Sequence, residues 1–472
     1  MTARPTIPLV RSLSCFDPLE LLPALSRLRH PFLLHSSLAD ERGRWSFFGA
    51  EPFETYSGRA YDVAVNRWRA LSRRVRAERW APTLVPFTGG AVGYWAYDFG
   101  RRLERWPERA RDDLGLPDFV LGLYDVVGAF DHRSREAWLF STGLPYLEGE
   151  RQESRAAARL EQFAHALSAR EPFEPLAAPR TSLRAVSTFT RDGYRAAVER
   201  VQEHIGRGDI YQANLSQRWT LPLDGQPPRA LATALHAALA ERSPAPFAAY
   251  VDAGDHIVVS ASPERFLELR SGRVESRPIK GTRPRGASVE EDLRLSAELE
   301  QSEKDRAENV MIVDVLRNDL GRVCRPGSVR ATRLCELERF PQVFHLTSTI
   351  EGMLDGAHDA ADLLAACFPG GSITGAPKLR AIELLEEIEP VRRHVYTGAI
   401  GYLDWRGDAD WNIAIRTALV TPSALHFAAG GGITADSDPD AEYEETLHKS
   451  AGMRAALAQA LHSAEPAAQE AG

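Results

Sequence analysis

The chain is 472 residues long, 44% hydrophobic and 26% charged, with a net charge of −8 and arginine far in excess of lysine. Such a chain is a soluble globular protein of about two to four domains, or one large intertwined fold. No basic block recommends a nucleic-acid partner, and the dispersed Cys15, Cys324, Cys335 and Cys367 suggest neither a disulfide framework nor a zinc site. With no apolar run of ~18 residues and no N-terminal apolar core, neither a membrane span nor a signal peptide is read, and a cytoplasmic location is expected.

Residues 32–37 and 43–49 read as two short strands around a polar turn. Residues 86–95 are rich in glycine and aromatics, and glycine there permits close backbone approach. The Ala-, Arg- and Pro-rich stretch with Glu171-Pro172-Phe173-Glu174-Pro175 reads as a linker. It divides the chain into an N-terminal region (1–164), a linker (165–184) and a C-terminal region (185–462), with a frayed tail over 463–472. No catalytic constellation precedes the linker.

After it, a helix is expected over 192–205 and a strand over 210–218. Strands over 266–269 and 274–276 flank a Ser271-Gly272 turn. The second leads into Arg277-Pro278-Ile279-Lys280-Gly281-Thr282-Arg283-Pro284-Arg285. Nearby cations and desolvation both disfavour an ammonium, so Lys280 is a candidate free amine and nucleophile; the alternative is one more surface cation. Glu264 opens the first of these strands, near Lys280 or as an ordinary surface acid. Ser302 with Asp305 caps a helix on which Glu308 shares a face with Met311, Ile312 and Val315. A carboxylate there calls for a ligand or an internal salt bridge.

His345 falls in a strand over 344–350, the setting of a hydrogen-bonded core histidine. The loop Gly370-Gly371-Ser372-Ile373-Thr374-Gly375-Ala376-Pro377-Lys378 feeds a helix with Pro377 first, a site suited to a carboxylate. Residues 410–419 alternate with period two, setting Arg416 among small residues on one face, as a pocket floor or a salt bridge. Gly430, Gly431 and Gly432 end a strand, either presenting backbone amides to a ligand or making a turn. Asp438-Pro439 starts a helix with Glu442, Glu445 and Lys449 on one narrow face. With Glu308 that face could hold Mg²⁺; otherwise it is a solvated face with Glu–Lys pairing.

These stretches together, from Gly208-Asp209-Ile210-Tyr211-Gln212 and Ser262-Pro263-Glu264-Arg265-Phe266 through Asp305-Arg306-Ala307-Glu308-Asn309 to Glu442-Tyr443-Glu444-Glu445-Thr446, resemble the chorismate-binding enzymes over about residues 190–455. The resemblance implies an α+β fold: two large antiparallel sheets packed face to face, helices outside, both regions contributing. Pro278-Ile279-Lys280-Gly281-Thr282 resembles the branch that aminates chorismate at C4, toward para-aminobenzoate; the anthranilate branch has alanine at the lysine position. Gln212 stands where the water-using branches carry lysine.

The resemblance further implies roles. Glu308 and Glu445, with Glu442 through water, would hold Mg²⁺. Arg416, Tyr396, Lys449 and the amides of Gly430, Gly431 and Gly432 would hold the anion, with Gln212, Thr282, Ser372 and Thr374 lining the site. Glu264 would be the general acid, Lys280 the covalent nucleophile, and His345 would shape the ring pocket. Ser36, Pro244 and Phe247 would mark a tryptophan pocket whose sequence departs from the feedback-inhibited pattern, leaving tryptophan as a structural ligand. No cysteine sits in the Gly-x-Cys-x-Gly elbow of a glutaminase, so ammonia would come from a separate glutaminase subunit. The alternatives are the anthranilate branch and a non-catalytic chorismate- or tryptophan-binding regulator.

Overall fold

The computed structural model describes residues 8–14, 16–38, 42–77, 85–147, 149–168, 184–340 and 343–462. The helix Gly149–Ser168 runs into the start of the predicted linker; most of that linker and the whole predicted tail lie outside the described residues.

The strands form a 12-stranded and a 10-stranded sheet, and both regions of the chain contribute to both. In the larger sheet Phe32–His35 pairs with Phe247–Asp252, setting Leu33 opposite Tyr250. In the smaller, Gly90–Trp95 pairs with Ala399–Asp404, setting Gly93 opposite Gly401. A Cβ at Gly93 would lie 1.8 Å from the Val120 carbonyl, which is why the glycine-rich stretch can serve as a central strand.

Side chains alternating along these strands meet between the sheets: Phe32, Phe47, Ala249 and Val258 from one, Val92, Tyr94, Ile400 and Tyr402 from the other. Each large side chain buried this way contributes about 1.5–3 kcal/mol, so this seam joins the two regions firmly. The outer face of the larger sheet is covered by Pro228–Arg242 and Pro439–His462. The outer face of the smaller is covered by Tyr61–Ala77, Glu303–Gly321 and Ala360–Cys367. This is the expected α+β arrangement of two packed antiparallel sheets with helices outside.

Two local expectations are corrected. Residues 410–419 are not one strand. Ala409–Ile413 pairs with Arg265–Arg270 in the smaller sheet, and Thr417–Val420 pairs with Ile257–Ser262 in the larger. The break falls at Arg416, whose φ of 49° lies in the left-handed region and ends the period-two path. Pro377 is extended (ψ 140°) and precedes the helix Lys378–Ile388 instead of opening it. Before it, Gly375–Ala376 pairs with Gln212 and Ala213, so the loop closes as a short strand.

Candidate active site

Two of the chain's crossings between the sheets lie side by side. Ile257–Ser262 belongs to the larger sheet and Arg265–Arg270 to the smaller, so Glu264 sits on the first crossing. Residues 414–416 make the second, carrying Arg416. The two are tied by Ile413 N donating to Glu264 O (3.1 Å) and Ala261 N donating to Arg416 O (3.0 Å). Ser262 Oγ adds a bond to Ile413 O at 2.6 Å.

Glu264 is buried, and its Oε1 accepts a hydrogen bond from Ser372 Oγ at 2.8 Å. Burial pushes its carboxyl up to about 7, against the hydroxyl of Ser372, the Lys280 charge, the Ile279 amide and Lys449. Lys280 lies on Ile279–Pro284, which pairs with Val343–Met353. The register slips between Ile279 and Thr282, and Gly281 takes φ +81°. This bulge re-aims the lysine into the site. Burial lowers the Lys280 ammonium; the Glu308 carboxylate opposes this and the Lys449 charge reinforces it.

The arginine-rich setting does not supply the depression expected from the sequence. Arg277 pairs with Glu338, Arg283 with Glu298 and Asp305, and Arg285 with Asp292. Each is paired with a carboxylate, Arg277 sharing Glu338 with Arg42, which leaves burial and Lys449 as the causes.

The glycine run is not a turn but the end of the strand Ala424–Ile433, paired with Gln212–Pro222. Its missing side chains are what the site uses. A Cβ at Gly432 would lie 1.9 Å from Gln212 Nε2 and 3.4 Å from Lys280 Nζ. The amine and the carboxamide therefore share the surface of one glycine, and Gln212 Oε1 is buried without a hydrogen-bond partner. A Cβ at Gly431 would lie 2.8 Å from Glu442 Oε2 and 3.5 Å from Glu445 Oε1.

The three expected metal ligands face this space from two helices. Burial raises the carboxyls of Glu308 and Glu442. Ser437 Oγ donates to Glu442 Oε1 at 2.6 Å, while Glu442 Oε2 is buried without a partner. Burial would raise Glu445 too, but Lys449, with its Nζ at 2.6 Å, together with the Lys304 and Lys280 charges outweighs it and holds the carboxyl low. Lys449 also donates to the Gly430 carbonyl at 3.0 Å. Among the described residues no three acidic, histidine or cysteine side chains are already drawn together around a metal position. The donors nonetheless suit a hard divalent cation: carboxylates only, one with an unsatisfied buried oxygen, over a glycine cradle.

Arg416 has no carboxylate partner among the described residues, so the salt-bridge alternative is not what the fold contains; burial lowers its guanidinium. It shares a cavity of about 60 Å³ with His345, Pro244 and Phe340. His345 accepts or donates one bond with Thr282 Oγ1 (2.8 Å to Nδ1). Burial, then the Arg416 and Arg42 charges, push its imidazole down to about 3, so it is neutral. Tyr396 lines a different cavity, with Arg393 and Ala428. The Thr374 hydroxyl bonds the Gly370 carbonyl at 3.0 Å, shaping the turn that carries Ser372. Of the predicted tryptophan pocket, Ser36 and Phe247 line one cavity of about 80 Å³ with Trp45, Phe47 and Tyr402. Pro244 lines the other, beside Arg416.

Sequence reasoning missed the buried Glu389–Arg393 pair, although an acid four residues before an arginine at a helix end was there to be read. Arg393 Nη1 donates to Ile373 O at 2.9 Å, beside Ser372, and Glu389 Oε1 accepts from Ser216 N at 2.9 Å. The pair joins the Ser372 turn to the strand of Gln212.

Residues 30–455 match the family described as chorismate binding enzyme. The chain is 44% identical over 366 residues to aminodeoxychorismate synthase component 1 of Klebsiella aerogenes, covering 77% of this chain and 76% of that protein. It is 40% identical over 436 residues to anthranilate synthase component 1 of Thermus thermophilus, covering 90% and 92%. The crystal structure of anthranilate synthase component I from Streptococcus pneumoniae superposes with a TM-score of 0.75 at 30% identity, covering 88% of this chain and 93% of that one.

Proposed function

The chain belongs to the chorismate-binding enzymes, and from that membership we propose that it is an aminodeoxychorismate synthase component 1, which aminates chorismate to 4-amino-4-deoxychorismate. Overall similarity favours no branch by itself, since relatives of both names align over most of the chain. The observation that carries the reading is Lys280, held with Gln212 against Gly432 and within the field of both Glu264 and Glu308.

The residues divide the work as follows. The unpaired Arg416 takes a substrate carboxylate, with the neutral His345 beside it forming the ring wall. Glu264, protonated near neutral pH, gives its proton to the C4 hydroxyl, which otherwise leaves as hydroxide. The unprotonated Lys280 amine attacks C2; both ring double bonds shift, C1=C2 to C1=C6 and C5=C6 to C4=C5, and the C4–O bond breaks, releasing water. Ammonia then attacks C4, both double bonds shift back to C5=C6 and C1=C2, and the C2–N bond to Lys280 breaks. Two displacements put nitrogen para to the ring carboxylate. Gln212, an amide without basicity, activates no water. Mg²⁺, held by Glu308 and Glu445 with Glu442, would neutralise a substrate carboxylate. Ammonia would come from a separate glutaminase subunit, with which this component pairs.

The test is product identification from chorismate, Mg²⁺ and ammonium. 4-Amino-4-deoxychorismate is expected from the wild type, none from glutamine alone, and loss of most of it in Lys280→Ala. Mass spectrometry without ammonia should show the dehydrated substrate on Lys280. Anthranilate as the product would establish the other branch, and no conversion would leave a binding protein.

A further inference from the structure

Ser372 sits on the single turn Gly371–Ile373, pressed so closely to the Glu308 helix that a Cβ at Gly371 would lie 2.8 Å from Val315 Cγ1. The turn is closed by Thr374 and fastened from behind by Arg393. Arg393 is itself buried, bonding Glu389 at 2.8 and 2.7 Å and reaching the Asn214 carbonyl on the Gln212 strand. Nothing in this arrangement needs a hydroxyl at residue 372 for packing. Its one hydrogen bond goes to Glu264 Oε1, at 2.8 Å.

We propose that Ser372 is the positioning residue for the acid, fixing the rotation of the Glu264 carboxyl and the oxygen that carries its proton. The proposal rests on Glu264 being the general acid. In a carboxylic acid the carbonyl oxygen is the better acceptor and the hydroxyl oxygen carries the proton. A donor committed to Oε1 makes that atom the carbonyl and leaves the proton on Oε2, free to be given to the substrate. The other groups facing Glu264 are Lys280 from its strand, Lys449 from the C-terminal helix and the Ile279 amide. All favour the carboxylate, as does Ser372, and burial alone opposes them. Ser372 is thus both the aim of the acid and part of the balance that keeps its proton transferable near neutral pH.

The experiment compares kcat, KM and the pH profile of wild type, Ser372→Ala, Ser372→Thr and Glu264→Gln with chorismate and ammonium. In Ser372→Ala, kcat should fall about ten- to a hundredfold, as expected for a misaimed group. The chorismate KM should hold, and the alkaline limb of kcat should move to higher pH because a donor to the carboxylate is gone. Ser372→Thr, which keeps the hydroxyl, should recover both rate and limb. Wild-type rate and limb in Ser372→Ala, beside an inactive Glu264→Gln, would overturn the proposal while leaving the acid in place. A fall in rate with an unmoved limb and no recovery by threonine would reduce Ser372 to a structural part. An active Glu264→Gln would remove the acid itself, and the proposal with it.

Discussion

Glu264 and Glu442 are both buried carboxyls raised by burial, yet their surroundings differ. Glu264 has a hydroxyl on one oxygen and two lysines facing it. Glu442 also has a hydroxyl on one oxygen and two lysine charges, Lys304 and Lys449, acting on it, but nothing on the other oxygen and Glu445 as a like-charged neighbour across Gly431. An unsatisfied buried oxygen costs about 1–3 kcal/mol, more if charged. A fold keeps such an atom where a ligand completes it. The lesson is that one carboxyl group does two jobs according to who supplies its partner. Where the protein supplies it, the group suits the proton carrier proposed above; where a partner is withheld, the group suits the proposed cation.

That contrast can be broken in three ways. The largest effect is expected on the cation side. Glu308→Gln or Glu445→Gln should abolish turnover and weaken Mg²⁺-dependent chorismate binding, with circular dichroism unchanged. Normal magnesium dependence in Glu308→Gln would take that residue out of the ligand set. Next comes the proton side: Glu264→Gln should bind chorismate, read by calorimetry, but turn over about 10²–10⁴-fold more slowly. Magnesium dependence should survive in it, which separates the two sides. The smallest effect is the pH response. Glu264 must be protonated to act, so turnover at saturating chorismate should fall as pH rises through about 7. The residual activity of Glu264→Gln should lack that limb, and its persistence there would assign the limb elsewhere.

The sequence disclosed the proton side more fully than the cation side, for physical reasons. A strand, a Ser271-Gly272 turn and a second strand place Glu264 and Lys280 together by local rules alone. The two packed sheets followed from the resemblance of whole stretches. Why Lys280 is depressed did not follow, because the arginines around it turn outward to carboxylates distant in sequence, such as Glu338. Nor did the position of Arg416, since a period-two pattern describes alternation without saying that the strand changes sheets midway. The glycine run was ambiguous for a related reason. Whether a missing side chain serves a turn or a neighbour depends on what lies opposite, and Gln212, Lys280 and the Glu442–Glu445 helix turn arrive there from three separate parts of the chain.

The paired crossings at Glu264 and Arg416 have a mechanical consequence. A group mounted on a sheet moves with that sheet when the two halves shear against one another. Glu264 and Arg416 instead ride on the tethers, which are bonded to each other at both ends, from Ile413 to Glu264 and from Ala261 to Arg416. The spacing between Glu264 and Arg416 is therefore a property of the suspension, not of the bodies it joins. The outer strands and covering helices can drift, lengthen or acquire new binding surfaces while that gauge stays constant.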